Sequence, residues 1–108
     1  MIKAVYDRSK PELTVTGHAG YGDKGQDIVC SAASILVYTL AEDVERLCRH
    51  KQMVRRPVVE LDGGTAVISC APVHGMGAVA KLIFDSVCAG FAVLAERYPE
   101  HVQYIVKG

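Results

Sequence analysis

The sequence predicts a single α+β domain spanning residues 1–108, with a largely antiparallel sheet covered by two helices in the order β-β-α-β-β-α-β. Short segments of alternating apolar and polar residues occur in pairs, which predicts hairpins. Two longer segments carry apolar residues at intervals of three and four, which predicts helices. A chain of 108 residues holds one buried core, so we expect one functional site at most.

The first hairpin and the first helix are predicted in the amino-terminal half of the chain. IKAVYDR, residues 2–8, and ELTVTGH, residues 12–18, both alternate and are joined by the tight connection SKPE. From Asp27 to about His50 the apolar residues recur at helical intervals: Val29, Ala33, Leu36, Leu40, Val44 and Leu47. Charged residues enter this helix only from Glu42, so its first half is expected to be buried on most sides.

The second hairpin is predicted around the tripeptide DGG. MVRRPVVEL, residues 53–61, and TAVISCAP, residues 65–72, flank it, and glycine accepts the positive φ that a tight hairpin turn needs. A second helix is predicted from about Gly75 to Tyr98, where the proline that follows ends it. HVQYIVK, residues 101–107, is the last predicted strand.

Composition limits the class of protein. Twelve basic side chains balance twelve acidic ones, so no overall field attracts nucleic acid or an anionic membrane surface. The amino terminus lacks an apolar signal core, and charges interrupt the apolar runs before they reach membrane-spanning length. We therefore expect a cytoplasmic protein without a direct nucleic-acid or membrane partner. Half of the residues are hydrophobic, which favours a homodimer interface for some of that surface.

The segment GYGDKG, from Gly20 to Gly25, matches the pattern GxGxxG between a predicted strand and a predicted helix. In a dinucleotide site the third glycine lies inside the helix and the next strand is parallel. Here two residues separate the third glycine from the helix and a hairpin follows, so a nucleotide site is disfavoured. Two interpretations remain: the glycines only permit turns, or Gly20, Gly22 and Gly25 form a mobile loop that covers a substrate between His18 and Cys30.

Cys30 is the candidate nucleophile. Asp27 is a good helix N-cap, which places Cys30 in the first turn, where unpaired N–H groups and the helix dipole favour a thiolate. A nearby imidazolium of His18 would favour it further. Asp27 either caps the backbone N–H groups near Cys30 or accepts a hydrogen bond from His18, and the sequence leaves both open. Ser34, one turn later, either contacts the site or bonds the Cys30 carbonyl.

The other cysteines and histidines are interpreted as structural. Three cysteines fall in apolar surroundings and are predicted to be small buried side chains with free thiols: Cys48, Cys70 and Cys88. Two histidines are interpreted as structural or solvated: His50 and His101. His74 precedes the second helix and keeps a smaller chance of lying near the site. A zinc site from His18, Cys30 and His74 matches no ligand spacing, so neither a metal nor a cofactor is expected.

Two motifs resemble a known family. TGHA, residues 16–19, and GQDIVCSAAS, residues 25–34, look like the signature of the ribosomal-processing cysteine protease family, Prp. The element order and the chain length also fit that family, so the resemblance covers essentially the whole chain. It implies a thiol endopeptidase that removes the amino-terminal extension of a precursor of the large-subunit ribosomal protein L-twenty-seven. It also implies a homodimer.

The family's functional residues fall on matching positions of this chain. The resemblance implies that the histidine of its GHA motif is His18 and that the cysteine of its DIVC motif is Cys30. Its recurring aspartate and serine fall on Asp27 and Ser34. The one departure is Ser31, which stands where a small alanine is often found.

The resemblance implies thioester chemistry. The Cys30 thiolate, formed with His18 as general base, would attack the scissile carbonyl, and protonated His18 would donate to the departing amine. Backbone N–H groups of the first helical turn are expected to bind the oxyanion. The substrate is expected to lie as an extended strand beneath the glycine loop. The main alternative is a non-catalytic module that binds a ribosomal protein or an assembling subunit.

Overall fold

The structure is a computed structural model that describes residues 1–108. Its elements follow the predicted order: β1 (Ile2–Asp7), β2 (Glu12–Thr16), α1 (Ile28–Arg49), β3 (Val54–Asp62), β4 (Thr65–Pro72), α2 (Gly77–Arg97) and β5 (Val102–Lys107). The α+β fold class is therefore confirmed.

The five strands form one sheet in the order β3-β4-β2-β1-β5. The pairs β1–β2, β2–β4 and β3–β4 are antiparallel, whereas β1 and β5 are parallel. The parallel pair follows from connectivity, because α2 crosses the sheet and returns the chain to the edge at which β1 lies. The prediction of a largely antiparallel sheet is confirmed.

Both helices cover one face of the sheet. Ala4 in β1 pairs with Val15 in β2, and Val15 pairs with Ala66 in β4, so these buried residues point to the same side. Helix α2 lies close to α1 at Gly90, where an added Cβ would collide with the side chain of Leu36. The molecule therefore has two layers, with the core between the sheet and the helices.

Two element boundaries differ from the predictions. Strand β2 ends at Thr16 rather than at residue 18, because Gly17 adopts a φ of +90° and turns the chain out of the strand. Helix α2 begins at Gly77 rather than at about Gly75, because Gly75 has a φ of +85°, which is incompatible with a right-handed helix. The first change places His18 in a loop beside the sheet.

The prediction that the first half of α1 is buried on most sides was wrong. Ile28 and Tyr38 are exposed, and 60% of Ile35 is exposed. The sheet and α2 cover one side of α1, and no part of the chain covers the opposite side, which carries these three residues. Apolar composition predicted burial that a single copy of the chain does not provide.

Helix α2 is long and apolar enough to cross a membrane by length and composition alone. It also contributes five residues to the core: Ala80, Phe84, Cys88, Phe91 and Leu94. A core helix passes the same test, and the buried stripe of α2 accounts for part of its apolar character.

Candidate active site

A cleft of about 340 Å³ lies where α1 meets the ends of β2 and the β3–β4 hairpin. Both predicted catalytic residues, His18 and Cys30, line it, and so does Ser34. Its apolar lining includes Val15 from the sheet and Val37 from α1. The fold therefore brings the predicted site residues to one opening in the surface.

Asp27 fixes the start of α1 and the end of the glycine loop. Its Oδ1 accepts hydrogen bonds from the backbone N–H groups of Val29, at 3.0 Å, and Cys30, at 2.9 Å. Its Oδ2 accepts from the N–H groups of Tyr21, at 2.9 Å, and Gly22, at 3.2 Å. Of the two roles that the sequence left open, the contacts are those of the helix cap, and the same carboxylate also anchors the loop.

The charge on Asp27 acts on the neighbouring thiol. Hydrogen bonds from backbone N–H groups, that of Cys30 first, hold the pKa of Asp27 below its usual range. The Cys30 side chain also lowers the pKa of Asp27. A carboxylate beside sulfur opposes a thiolate, although four N–H donors reduce that opposition.

Cys30 is the third residue of α1 and is half-buried. Its Sγ accepts a hydrogen bond from the backbone N–H of Ala19, at 3.2 Å, and Ala19 is buried. This donor and the amino-terminal end of the helix both place partial positive charge near the sulfur. Ala19 directly follows His18, so this hydrogen bond holds the backbone next to His18 against the Cys30 sulfur.

His18 lies against the tip of the β3–β4 hairpin. The Gly17 N–H donates to the Gly64 carbonyl at 2.8 Å, and a Cβ added to Gly64 would be 3.2 Å from His18 Nε2. The Asp62 carboxylate bonds the Gly63 N–H and so fixes the turn. The only histidine ring nitrogen in a hydrogen bond within the protein belongs to another residue, which leaves both nitrogens of His18 free for proton transfer.

The glycine loop is tied down at its centre. Besides the two bonds to Asp27, the Tyr21 ring contacts Tyr98 and His101 edge-on, with ring centroids 5.3 Å apart in each case. Three glycines of the loop are exposed: Gly20, Gly22 and Gly25. Their role as a cover over the substrate stays a prediction. The strand before the loop pairs antiparallel on both sides, which is not the parallel unit of a dinucleotide site.

The remaining predicted side chains lie in different places. Ser34 lines the cleft with an exposed side chain, and its hydroxyl makes no hydrogen bond to the Cys30 carbonyl. His74 follows the far end of β4, and that strand's eight residues carry it roughly 25 Å from the cleft. It cannot share a metal site with His18 and Cys30, and no group of three or more His, Cys, Asp or Glu side chains could hold a metal ion.

Sequence reasoning missed several residues of this site. Gly64 was interpreted as a turn residue only, although it contacts His18. Tyr38 and Leu61 line the cleft with exposed side chains, yet periodicity gave no reason to select them. His101 was interpreted as structural or solvated, although its Nδ1 lies 2.8 Å from the carbonyl oxygen of Ala19.

Comparison with known proteins agrees with this geometry. The family model of the cysteine protease Prp matches residues 1–103. The chain belongs to the Prp family. Prp is a family of cysteine proteases, so the resemblance carried by the two motifs is confirmed. No curated protein matches the chain.

Several solved structures share the fold over nearly the whole chain. The essential ribosomal processing protease Prp from Staphylococcus aureus, in complex with a covalently linked product peptide, is 25% identical with a TM-score of 0.78, covering 99% of this chain and 100% of that chain. The same protease with a substrate peptide is 24% identical with a TM-score of 0.70 and the same coverage. SMU.848 from Streptococcus mutans is 28% identical with a TM-score of 0.67, covering 98% of this chain and 91% of that chain.

Asp27 variants separate the cap from the loop anchor. Asp27→Asn keeps an oxygen for the Val29 and Cys30 N–H groups but turns an NH₂ group toward Tyr21 and Gly22. We expect Asp27→Ala to lower Tm by roughly 5 °C at pH 7 and Asp27→Asn to lower it less. Calorimetry measures both, and an Asp27→Ala protein that melts like the wild type would contradict the role.

The Asp27 contribution to stability should depend on pH in one direction. Its folded-state pKa is depressed, so the stabilisation is present above the unfolded value of about 4 and is lost as pH falls through the lower folded value. We expect the difference in Tm between wild type and Asp27→Ala to be constant from pH 6 to 8. It should shrink below about pH 4, and a difference that instead grows in acid would be inconsistent with this linkage.

Gly64→Ala should impair the site while Gly63→Ala should not. A methyl group at position 64 meets His18 Nε2, and the φ of +84° there disfavours any L side chain, whereas position 63 faces open space. We expect about 10-fold lower peptidase activity for Gly64→Ala and near wild-type activity for Gly63→Ala. Equal activity of the two variants would show that the hairpin tip does not hold the histidine.

The four thiols should differ in reactivity. Burial raises the pKa of Cys70 to about 11 and that of Cys88 to about 12, so both stay protonated at neutral pH. Cys30 and Cys48 are only half-buried, and only Cys30 receives a backbone N–H at its sulfur. Peptide mapping after brief iodoacetamide treatment at pH 7 should find Cys30 modified first and Cys70 and Cys88 last. Uniform modification would contradict this.

Proposed function

We propose that the chain is a cysteine endopeptidase that removes the amino-terminal extension of a ribosomal protein L-twenty-seven precursor in the cytoplasm. Cys30 is the nucleophile and His18 the general base and acid. The observation that carries the proposal is the hydrogen bond from Ala19 N–H to Cys30 Sγ, which ties the sulfur to the segment that holds His18. Family membership and the ribosomal processing activity of the S. aureus protease support the substrate class.

The reaction proceeds in two halves. His18 takes the proton of the Cys30 thiol, and the sulfur attacks the scissile carbonyl carbon to form a tetrahedral intermediate. The carbon–nitrogen bond then breaks, and His18 returns its proton to the departing amine, leaving a thioester. In the second half His18 takes a proton from water, and the hydroxide attacks the thioester carbon. The carbon–sulfur bond breaks, the peptide leaves with a new carboxyl terminus, and His18 returns its proton to the Cys30 sulfur.

We propose that the Ala19 N–H, rather than the first-turn N–H groups expected from the sequence, is the oxyanion donor. The N–H groups of Val29 and Cys30, in the first turn of α1, already donate to Asp27 Oδ1. The Ala19 N–H faces the sulfur instead. The carbonyl oxygen of a substrate bonded to Cys30 Sγ would lie two bonds from the sulfur, within reach of the Ala19 N–H.

The cleft suits apolar substrate side chains. Its volume of about 340 Å³ fits a short peptide segment better than a folded domain. Tyr38 is 57% exposed and Leu61 48% exposed, and both line the cleft. Such side chains favour apolar and aromatic residues of the substrate.

Cleavage of a peptide spanning the precursor extension tests the proposal. We expect one specific scission, reduced by about 1,000-fold or more in Cys30→Ala and in His18→Ala, because either change removes half of the nucleophilic pair. Cys48→Ala is the matched control, since that thiol lies away from the cleft, and it should cleave normally. Saturable binding without scission would support the non-catalytic ribosomal-protein-binding module instead.

We further propose that two copies associate through the outer face of α2. Leu82, Ser86, Ala89 and Val93 recur at helical spacing and are exposed, and 67% of Leu82 is exposed. Exposed Ile35 on the adjacent helix α1 adds to this apolar face. The homodimer implied by the family resemblance would cover this surface.

We also propose that the protein binds neither nucleic acid nor a membrane directly, because twelve basic side chains balance twelve acidic ones.

Light scattering after gel filtration tests the dimer. The wild type should show twice the chain mass of 11.6 kDa, and Val93→Glu should shift it to one chain mass because it places a charge in the apolar contact. Val106→Glu is the control, since Val106 is equally exposed, at 50% against 49%, but lies on the edge strand β5. A wild type that elutes as one chain at all concentrations would end this proposal.

A further inference from the structure

Both backbone polar groups of Ala19 make hydrogen bonds to side chains. Its N–H donates to Cys30 Sγ at 3.2 Å, and its carbonyl oxygen lies 2.8 Å from Nδ1 of His101. A carbonyl oxygen only accepts, so Nδ1 of His101 carries the proton and donates it. Ala19 therefore contacts the sulfur through its N–H and is held through its carbonyl by the side chain of His101, 82 positions away.

His101 is a rigid support for this bond. Its backbone N–H donates to the Tyr98 carbonyl at 2.9 Å, and its own carbonyl accepts from the Ile2 N–H at 2.8 Å. These two bonds connect it to the end of α2 and to the first residue of β1. Its ring is further packed edge-on against Tyr21. The backbone of His101 is thus fixed to α2 and to the sheet, while its ring contacts the loop.

The loop needs such a support at this point. Gly20 follows Ala19 directly, has a φ of +65°, and has no neighbouring atoms within 4 Å of an added Cβ. The peptide between Ala19 and Gly20 is therefore free to rotate unless its carbonyl is held. If the carbonyl were released, Ala19 would lose the side-chain contact that fixes its position, and a shift of Ala19 would carry its N–H away from the sulfur and move the adjacent His18.

We propose that His101 is a positioning residue for the catalytic pair: its Nδ1–H holds the Ala19 carbonyl, which keeps the Ala19 N–H on Cys30 Sγ and His18 at the cleft. This inference rests on the proposed function for its effect on catalysis. Its effect on the Cys30 thiol does not, because the hydrogen bond from Ala19 exists without substrate. An imidazolium also donates from Nδ1, so the bond persists in both charge states of the ring.

Three substitutions at His101 test the proposal. His101→Leu removes the donor while keeping apolar contact with Tyr21. His101→Asn returns an N–H donor close to the position of Nδ1, whereas His101→Gln places its amide farther out. We expect His101→Leu and His101→Gln to lower kcat by about 10- to 100-fold with KM within about 2-fold, and to slow Cys30 alkylation at pH 7 by about 10-fold. His101→Asn should restore both towards wild type.

Separate measurements check that each variant is folded and that the wild type cleaves the precursor peptide. Tm of each variant shows that it is folded, and if His101→Leu does not fold, the comparison of His101→Asn with His101→Gln carries the test. His74→Leu, at the far end of the molecule, should change neither kcat nor alkylation. Wild-type alkylation and kcat in His101→Leu, or an asparagine variant as impaired as the leucine one, would overturn the proposal. If the wild type cleaves no precursor peptide, the proposed function fails while the alkylation rates still decide the role of His101.

Discussion

The rest of the site depends on the hydrogen bonds that the Asp27 carboxylate accepts from four backbone N–H groups. Two of its four accepted hydrogen bonds start α1 and two hold the loop at Tyr21 and Gly22. Without the first two, the helix that carries Cys30 would have free N–H groups at its start. Without the second two, the loop that brings Ala19 to the sulfur would be held at its centre only by the ring contacts of Tyr21. One buried side chain therefore sets both the position of the Cys30 sulfur and the approach of the Ala19 N–H.

The two-layer fold explains why the site lies at one end of the strands. Strand β2 ends beside the start of α1, and the β3–β4 hairpin places its tip next to β2, where Gly64 accepts a hydrogen bond from Gly17. Strand β5 runs parallel to β1, so His101 arrives at the same edge as Ile2. Four separate parts of the chain thus meet at the cleft, and a rearrangement of the sheet would disperse them.

Most of the fold and half of the site follow from local sequence. Periodicity predicts all seven elements, because alternation and helical spacing report which face each element buries. Asp27 is recognisable as a cap because the residues it bonds are two and three positions away. The contacts of Gly64 with His18 and of His101 with Ala19 join residues far apart in sequence. No local pattern encodes them, since they depend on strand order and on the parallel pairing of β5. The exposed apolar stripe of α1 was mispredicted for a related reason, because composition does not say whether the covering surface belongs to the same chain.

The electrostatics of Cys30 show why the sulfur needs more than a helix terminus. Asp27 accepts from the two first-turn N–H groups nearest the sulfur and brings a negative charge close to it. The helix dipole alone is therefore a weak source of thiolate here, because part of its positive end is already neutralised. The Ala19 N–H and a protonated His18 are the groups left to stabilise the anion, and both belong to the segment that the loop contacts hold in place. The surroundings of the Cys30 sulfur are therefore set by the assembled loop, and a change of loop position would change them.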